Sequence, residues 1–262
     1  MDLLGQNIRK TNISFFCALL KVEIAASPQT LTVSMTNSGY KDWDRVYREY
    51  PLEELPWELG KPRKILVDLV EGSSIKPCKT LDICCGAGTN TVYLAQKGFD
   101  VTAVDVSKQA IKYAKQKARR AGVEIQFVLG SFVTLSFENQ RFDFVFDMGC
   151  FHHVLVEDRE KFIQGVCQVL KKGKGLYLLI CFSDRNGPAW NHFTKEHLAQ
   201  YFSRRFKFLR LKHFGSVEGD GYLRYFYSVL MQRIIRTKPK TICLRKIKIN
   251  ERGAKKHMIV MK

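Results

Sequence analysis

The chain has 262 residues, of which 45% are hydrophobic and 26% charged, so it is long enough to bury the core of one full-sized domain. This composition is that of an ordinary globular protein and argues against a disordered chain. The net charge of +18 is typical of nucleic-acid binders, but its distribution along the chain weakens that interpretation.

About half of the excess charge lies in residues 234–262, which hold ten Lys or Arg residues and one acidic residue. Residues 35–233 hold 30 basic and 22 acidic residues, so the predicted domain is only moderately basic. We expect a basic C-terminal tail that either binds RNA phosphates or is a solubilising end. The second is favoured because the tail lacks an aromatic platform for bases.

Residues 1–34 contain the apolar run ISFFCALL after Arg9 and Lys10, which imitates a signal peptide. The run is too short to span a bilayer, and Lys21 and Glu23 follow it at once. We therefore predict a peripheral N-terminal extension over 1–34, or a true start at Met35, and no membrane partner.

Eight cysteines occur without a C-x-x-C motif or other paired spacing. Such a pattern predicts neither a disulfide framework nor a metal site. We expect free cysteines that act as small core residues, and hence a protein of the reducing cytoplasm.

From residue 79 onwards, apolar runs alternate with amphipathic stretches. In chain order they are the strand KTLDIC, the helix TNTVYLAQKG, the strand DVTAVDV, the helix KQAIKYAKQKARRAG capped by Ser107, the strands EIQFVLG and FDFVFDMG, the helix DREKFIQGVCQVLKKG, the strand GLYLLICF and the helix TKEHLAQYFS. This alternation predicts an α/β fold with a doubly wound, mostly parallel sheet.

Two consecutive strands, FKFLRLKHFG and YLRYFYSVLMQ, end the predicted domain and are joined by SVEGDG. Strands linked by so short a loop cannot both be parallel to the others, so one of them must be antiparallel.

The glycine turn in LDICCGAGTN follows the first strand. Gly86 and Gly88 lack the third glycine of a dinucleotide-binding loop. Asp82 lies at the end of the first strand and Asp105 ends the second, where an acidic residue can hold a ribose diol. A ligand with a ribose and an ammonium group is favoured over a nicotinamide or flavin cofactor.

The segment DICCGAG resembles the cofactor motif of class I S-adenosylmethionine-dependent methyltransferases, with Cys84 in place of the first glycine. The resemblance covers roughly residues 40–233 and implies a Rossmann-like fold with a seven-stranded sheet whose last strand is antiparallel. It also implies S-adenosylmethionine as cofactor. The implied cofactor-binding residues are Asp82, Cys84, Cys85, Gly86, Gly88, Asp105, Val106, Ser131 and Phe132, with Ser131 where the family often has an acidic residue.

The segment after strand four, DMGCFHHV, is where the methyl acceptor is expected, because ligands bind beyond the carboxyl ends of the strands. His152 and His153 are candidate general bases, and Asp147 is a third candidate catalytic residue. Adjacent histidines rarely both face one ligand, so one of them could merely pack or cap.

Cysteine spacing also permits an RNA acceptor. Asp147 and Cys150, with Cys181 at the end of strand five, resemble the arrangement in RNA cytosine-5 methyltransferases. The flanking Pro and Thr of that family are missing, so buried or pocket-lining thiols are favoured. A basic RNA-binding module that keeps a cofactor pocket without turnover is a further alternative.

Three other segments resemble the thiopurine and tellurite-resistance branch of small-molecule methyltransferases: WDRVYREYPLEELPWELGKP, GCFHHV and CFSDRNGPAWNHF. The resemblance implies that Trp43, Tyr47 and Trp57 form a lid over cofactor and acceptor, although they could simply pack a helix onto the sheet. Trp190, Asn191 and His192 would line the acceptor pocket. We therefore predict a methyltransferase for a small-molecule acceptor such as a thiol, chalcogen or metalloid.

Overall fold

The computed structural model describes residues 42–187 and 191–235. The predictions for residues 1–34, for Trp190 and for the tail beyond Ile235 lie outside the described residues.

One mixed sheet organises the described part of the chain. Its strands are β1 (Lys79–Ile83), β2 (Asp100–Asp105), β3 (Gln126–Leu129), β4 (Phe144–Met148), β5 (Leu176–Phe182), β6 (Phe206–Val217) and β7 (Leu223–Arg233). The helices are α1 (Trp43–Glu49), α2 (Lys64–Glu71), α3 (Thr89–Gln96), α4 (Lys108–Ala121), α5 (Arg159–Val169) and α6 (Lys195–Phe202).

The strand order is β3-β2-β1-β4-β5-β7-β6. Strands β1 to β5 pair in parallel, whereas β7 is antiparallel to both β5 and β6. The predicted Rossmann-like sheet with an antiparallel last strand is therefore confirmed. Because the strand order reverses between β1 and β4, the loops that follow these two strands open a crevice at the carboxyl edge.

Local sequence signals account for the helix ends near this crevice. The Ser107 hydroxyl accepts a hydrogen bond from the Ala110 N–H, so Ser107 caps α4 as predicted. Gly122 ends the same helix in the left-handed conformation, with φ of +65°.

The sheet separates two apolar layers because successive strand residues point to opposite faces. Val145 of β4 and Leu179 of β5 belong to the layer on one face, while Phe144 and Leu178 belong to the other. The centre of β5 is buried throughout, as its unbroken apolar sequence predicts. Within 42–187 and 191–235, no helix is both long and apolar enough to cross a bilayer.

Candidate active site

A cavity of about 480 Å³ opens at the carboxyl ends of β1, β2 and β4. Its volume lies in the range of small-molecule sites. The predicted site residues that line it are Trp57, Asp82, Cys84, Cys85, Gly86, Asp105, Val106, Ser131, Phe132, His152 and His153. Residues far apart in sequence therefore meet at one place.

Asp105 ties the glycine turn to the end of β2. One carboxylate oxygen accepts the Gly86 N–H and the other accepts the Ser107 N–H, both at 2.8 Å. Gly86 has φ of +55°, and a Cβ on it would lie 2.6 Å from the Tyr47 hydroxyl oxygen. The turn therefore needs a glycine here for both its conformation and its packing.

Gly88, predicted as part of the cofactor-binding turn, has a packing role in the structure. It does not line the cavity, and a Cβ on it would lie 2.6 Å from the Cβ of Ala114 in α4. Because Gly88 has no side chain, the turn before α3 can pack closely against α4. Gly88 thereby fixes the position of the turn relative to α4.

Asp82 is a buried carboxylate in the cavity wall, 2% exposed. Its Oδ2 accepts the Thr91 hydroxyl at 2.5 Å. Burial raises the pKa of Asp82 to about 7, although the Thr91 hydrogen bond opposes the shift. A cationic ligand group next to Asp82 would stabilise the ionised form of this buried carboxylate.

Ser131, Phe132 and Val106 form the side of the cavity next to β2 and β3. Phe132 is buried and packs edge-on against Phe162, with ring centroids 5.2 Å apart. Val106 is 43% exposed and gives this side of the cavity an apolar surface.

Asp147 does not line the cavity, contrary to its prediction as a catalytic residue. Its carboxylate is fully buried and accepts the Cys150 N–H at 2.8 Å and the Tyr177 hydroxyl at 3.0 Å. Burial raises the pKa of Asp147 to about 7. Its two oxygens therefore hold the loop after β4 instead of facing a substrate.

Both His152 and His153 line the cavity, whereas the sequence favoured only one. They lie on the short 3₁₀ turn Phe151–His153, with ring centroids 4.4 Å apart. His152 is buried and stacks on Phe182 at 4.2 Å, and His153 packs against Trp43 at 4.7 Å.

The cysteine prediction was wrong for one pair. A disulfide joins Cys84, in the turn after β1, to Cys150, in the loop after β4. Their Cα atoms are 5.6 Å apart because β1 and β4 are adjacent parallel strands. Cys85 lines the cavity as a free thiol, and burial raises its pKa well above the usual range.

The N-terminal segment covers the glycine turn. Trp43, Tyr47 and Trp57 all line the cavity, and the Trp57 Nε1–H donates to the Tyr47 hydroxyl at 2.9 Å. Asp44 Oδ1 accepts the Ser107 hydroxyl and the Gln109 N–H, both at 2.9 Å. Helix α1 is thereby attached to the first turn of α4.

The loop between β6 and β7 completes the wall, which sequence reasoning missed. Glu218 of this loop receives two hydrogen bonds from Arg63 at 2.6 and 2.7 Å, and both side chains are buried. The Gly219 N–H donates to the Pro56 carbonyl at 2.7 Å. No local pattern reveals such a pairing, because the partners are 155 residues apart.

Asn191 and His192 do not line the cavity, contrary to prediction. The Asn191 amide instead donates to the His152 carbonyl, and its oxygen accepts from Arg159 at 3.0 Å.

The described residues also contain no group of side chains arranged to hold a metal ion.

Comparison with known proteins places this geometry in a family. Residues 80–173 match a family model described as a methyltransferase domain. An uncharacterized methyltransferase of Schizosaccharomyces pombe, C750.03c, is 31% identical over 106 residues, which is 40% of this chain and 72% of the yeast protein.

Two bacterial relatives match over comparable stretches. An uncharacterized methyltransferase of Synechocystis, sll0829, is 37% identical over 112 residues, which is 42% of this chain and 50% of the relative. The 2-heptyl-1-hydroxyquinolin-4(1H)-one methyltransferase of Mycobacteroides abscessus is 26% identical over 151 residues, which is 56% of this chain and 66% of the relative. The chain thus spans about half the length of the Synechocystis protein and about two thirds of the mycobacterial one.

The fold also matches solved structures. One is the protein reported for the conversion of a disulfide bond into a thioacetal group during echinomycin biosynthesis. It superposes with a TM-score of 0.65 at 21% identity, covering 73% of this chain and 90% of that one.

Proposed function

The chain belongs to the methyltransferase domain family, and from this premise we propose that it transfers a methyl group from S-adenosylmethionine to a small-molecule acceptor. The observation that carries the proposal is the position of Asp105. Its carboxylate lies in the cavity wall beside the glycine turn, where a ribose diol needs hydrogen-bond acceptors.

The half of the cavity around the glycine turn fits S-adenosylmethionine. Asp105 would hold the ribose, since the backbone N–H groups of Gly86, Ser107 and Val106 do not use all of the acceptor sites of its carboxylate. Asp82 and the backbone of 84–86 would face the ammonium end, and Val106, Ser131 and Phe132 would enclose the adenine. When bound, the cofactor supplies a methyl group on a sulfonium centre.

The other half of the cavity carries what we call the aromatic wall. Its residues are Trp43, Trp57, His152, His153, Phe182 and Phe226. Adjacent rings in it are 4.2 to 5.6 Å apart. Such a surface excludes water from the transfer and favours an acceptor with an apolar, flat body.

The state of the cysteines near the cavity argues against the thiol, chalcogen or metalloid acceptor that the sequence analysis predicted. Cys84 and Cys150 are bonded to each other, and burial keeps the Cys85 thiol protonated. A protonated thiol is a poor ligand for a soft ion. We therefore rank oxygen and nitrogen acceptors first.

An RNA acceptor is the alternative, and its cysteine-dependent form needs an accessible thiolate. Cys181 is fully buried within β5, and burial raises its pKa well above the usual range. The basic tail is a separate reason to include RNA in the test. We propose the cytoplasm as the site of the reaction because Cys78, Cys85 and Cys181 keep free thiols, although the Cys84–Cys150 disulfide points the other way.

The experiment is an acceptor screen that follows S-adenosylhomocysteine release by the full chain. Its arms are small thiols, total RNA and 2-heptyl-1-hydroxyquinolin-4(1H)-one, the acceptor for which the mycobacterial relative is named. Asp105→Asn is the matched control, since it keeps the size of the side chain. Turnover of RNA alone would overturn the small-molecule acceptor, and failure to bind S-adenosylmethionine in calorimetry would overturn the whole proposal.

A further inference from the structure

The two adjacent histidines of the aromatic wall differ in what each ring can do. His152 is 3% exposed, whereas His153 is exposed at the edge of the cavity. In a 3₁₀ turn, successive side chains point about 120° apart, so neighbours can reach a concave surface from two directions. Because both residues also line the cavity, one ligand can contact both rings.

The hydrogen bonding of His152 fixes its protonation. Its Nδ1 accepts the backbone N–H of Phe182 at 3.2 Å. A proton on Nδ1 would point at that N–H, so the ring stays neutral and carries its proton on Nε2. Burial also lowers the pKa of His152 well below its ordinary value, in the same direction.

The backbone around His152 is held from both sides. Asp147 accepts the Cys150 N–H, and the Asn191 amide donates to the His152 carbonyl. Arg159 in turn holds Asn191 and donates to the Val154 carbonyl at 3.3 Å. These hydrogen bonds fix the backbone of the turn that carries both histidines, as a preorganised site requires.

Building on the proposed function, we propose that the site methylates an ionisable O–H or N–H group on a flat aromatic acceptor, with His152 and His153 in opposite roles. His152 donates its Nε2–H to a polar atom of the acceptor and orients it. His153 accepts the proton that the acceptor must lose.

The step balances without a further reactant. The acceptor's O–H or N–H proton moves to the imidazole of His153, and the electron pair left on that atom forms the bond to the methyl carbon. The bond between this carbon and the donor sulfur breaks, and its electron pair remains on sulfur. His153, exposed at the cavity edge, then returns its proton to water.

The role of His152 is tested with a matched pair of variants in the full chain. Asparagine places its oxygen where Nδ1 was, so His152→Asn keeps an acceptor for the Phe182 N–H but removes the donor. Glutamine places its amide where Nε2 was, so His152→Gln keeps the donor. We expect His152→Gln to retain most of kcat and His152→Asn to lose at least tenfold, whereas a structural role predicts the reverse order.

The role of His153 is tested with ring-substituted phenols of increasing acidity, from phenol to 4-nitrophenol. A general base contributes roughly 10²- to 10⁴-fold when the acceptor must be deprotonated. We expect His153→Asn to cost most with phenol and progressively less as the phenol becomes more acidic. An equal loss along the series would overturn the role of His153.

Nitrogen-15 NMR of the imidazoles in the S-adenosylhomocysteine complex gives a readout that needs no acceptor. We expect an unprotonated Nδ1 and a protonated Nε2 on His152, and the opposite tautomer would overturn its role as donor. A chain that binds S-adenosylmethionine but methylates no phenol would overturn the acceptor class alone. A chain that does not bind it would overturn the proposed function instead.

Discussion

The carboxylate of Asp105 is bonded to the backbone of Gly86, with 2.8 Å between Oδ2 and the amide nitrogen. The end of β2 thereby fixes the turn that follows β1, although the two residues are 19 positions apart. The acidic residue proposed to hold the ribose thus also shapes the turn beside it.

Asp105→Asn should lower the affinity for S-adenosylmethionine at least tenfold. The amide replaces a carboxylate oxygen with a donor and weakens charge-assisted hydrogen bonds worth about 1.5–3 kcal/mol each. Calorimetry measures the change, with Asp100→Asn at the exposed start of β2 as the matched control. Equal affinity in a folded Asp105→Asn protein would remove Asp105 from the site.

Asp82 should make cofactor binding release protons near neutral pH. Its pKa is raised to about 7 in the folded protein by burial, so part of the population is protonated before an ammonium group arrives. Calorimetry at pH 7 in buffers of different ionisation enthalpy counts the protons released. Asp82→Asn should abolish this release, and the same release from both proteins would contradict the assignment.

The same residue should affect stability in a defined pH window. The folded pKa is about 7 and the unfolded one about 3.9. The folded protein therefore binds more protons between these values, so the contribution of Asp82 to stability falls as the pH rises from about 4 to about 7 and is lost above about 7. Without ligand, Asp82→Asn should unfold at a higher denaturant concentration than the parent at pH 8 but not at pH 4.

Asp44→Ala should loosen helix α1 and thereby weaken cofactor binding. It removes the hydrogen bonds that join α1 to Ser107 and Gln109. We expect faster proteolysis within 43–57 and partial protection by S-adenosylmethionine, as expected of a lid. Arg45→Ala, on the exposed side of the same helix, is the control; protection in neither parent nor variant would mean that the segment is fixed packing.

Cys181→Ser should leave turnover within about an order of magnitude of the parent while lowering stability. The thiol is buried inside β5, and an uncompensated hydroxyl there costs about 1–3 kcal/mol. Denaturant unfolding should show a smaller loss for Cys181→Ala, which buries no polar group. A folded but inactive Cys181→Ser protein would instead support the cysteine-dependent RNA mechanism.

The sheet could be predicted from the sequence because its signals are local: apolar runs, caps and glycines mark each element in turn. The side of the cavity formed by 82–86 and Asp105 was predictable for the same reason. Asp147 could have been recognised as a loop support, since an aspartate side chain often accepts an N–H a few residues onward and Cys150 stands three positions later.

Other parts of the site depend on contacts that no local pattern encodes. Phe182 and Phe226 face the cavity only because β7 pairs with β5, and Cys84 meets Cys150 only because β1 and β4 are neighbours. Asn191 was predicted in the pocket from the resemblance of its segment to small-molecule methyltransferases, but its amide donates to the His152 carbonyl. The position of each of these residues depends on contacts between segments that are far apart in the sequence.

The Arg63–Glu218 pair has a consequence for how the protein is made. Arg63 leaves the ribosome long before Glu218, because β6, Glu218 and β7 are synthesised last in the described domain. A nascent chain can form the glycine turn early, yet its cavity wall stays incomplete until Glu218 arrives to neutralise the buried Arg63. The cavity is therefore enclosed only near the end of domain synthesis, and a chain truncated before β6 would have a glycine turn without an enclosed pocket.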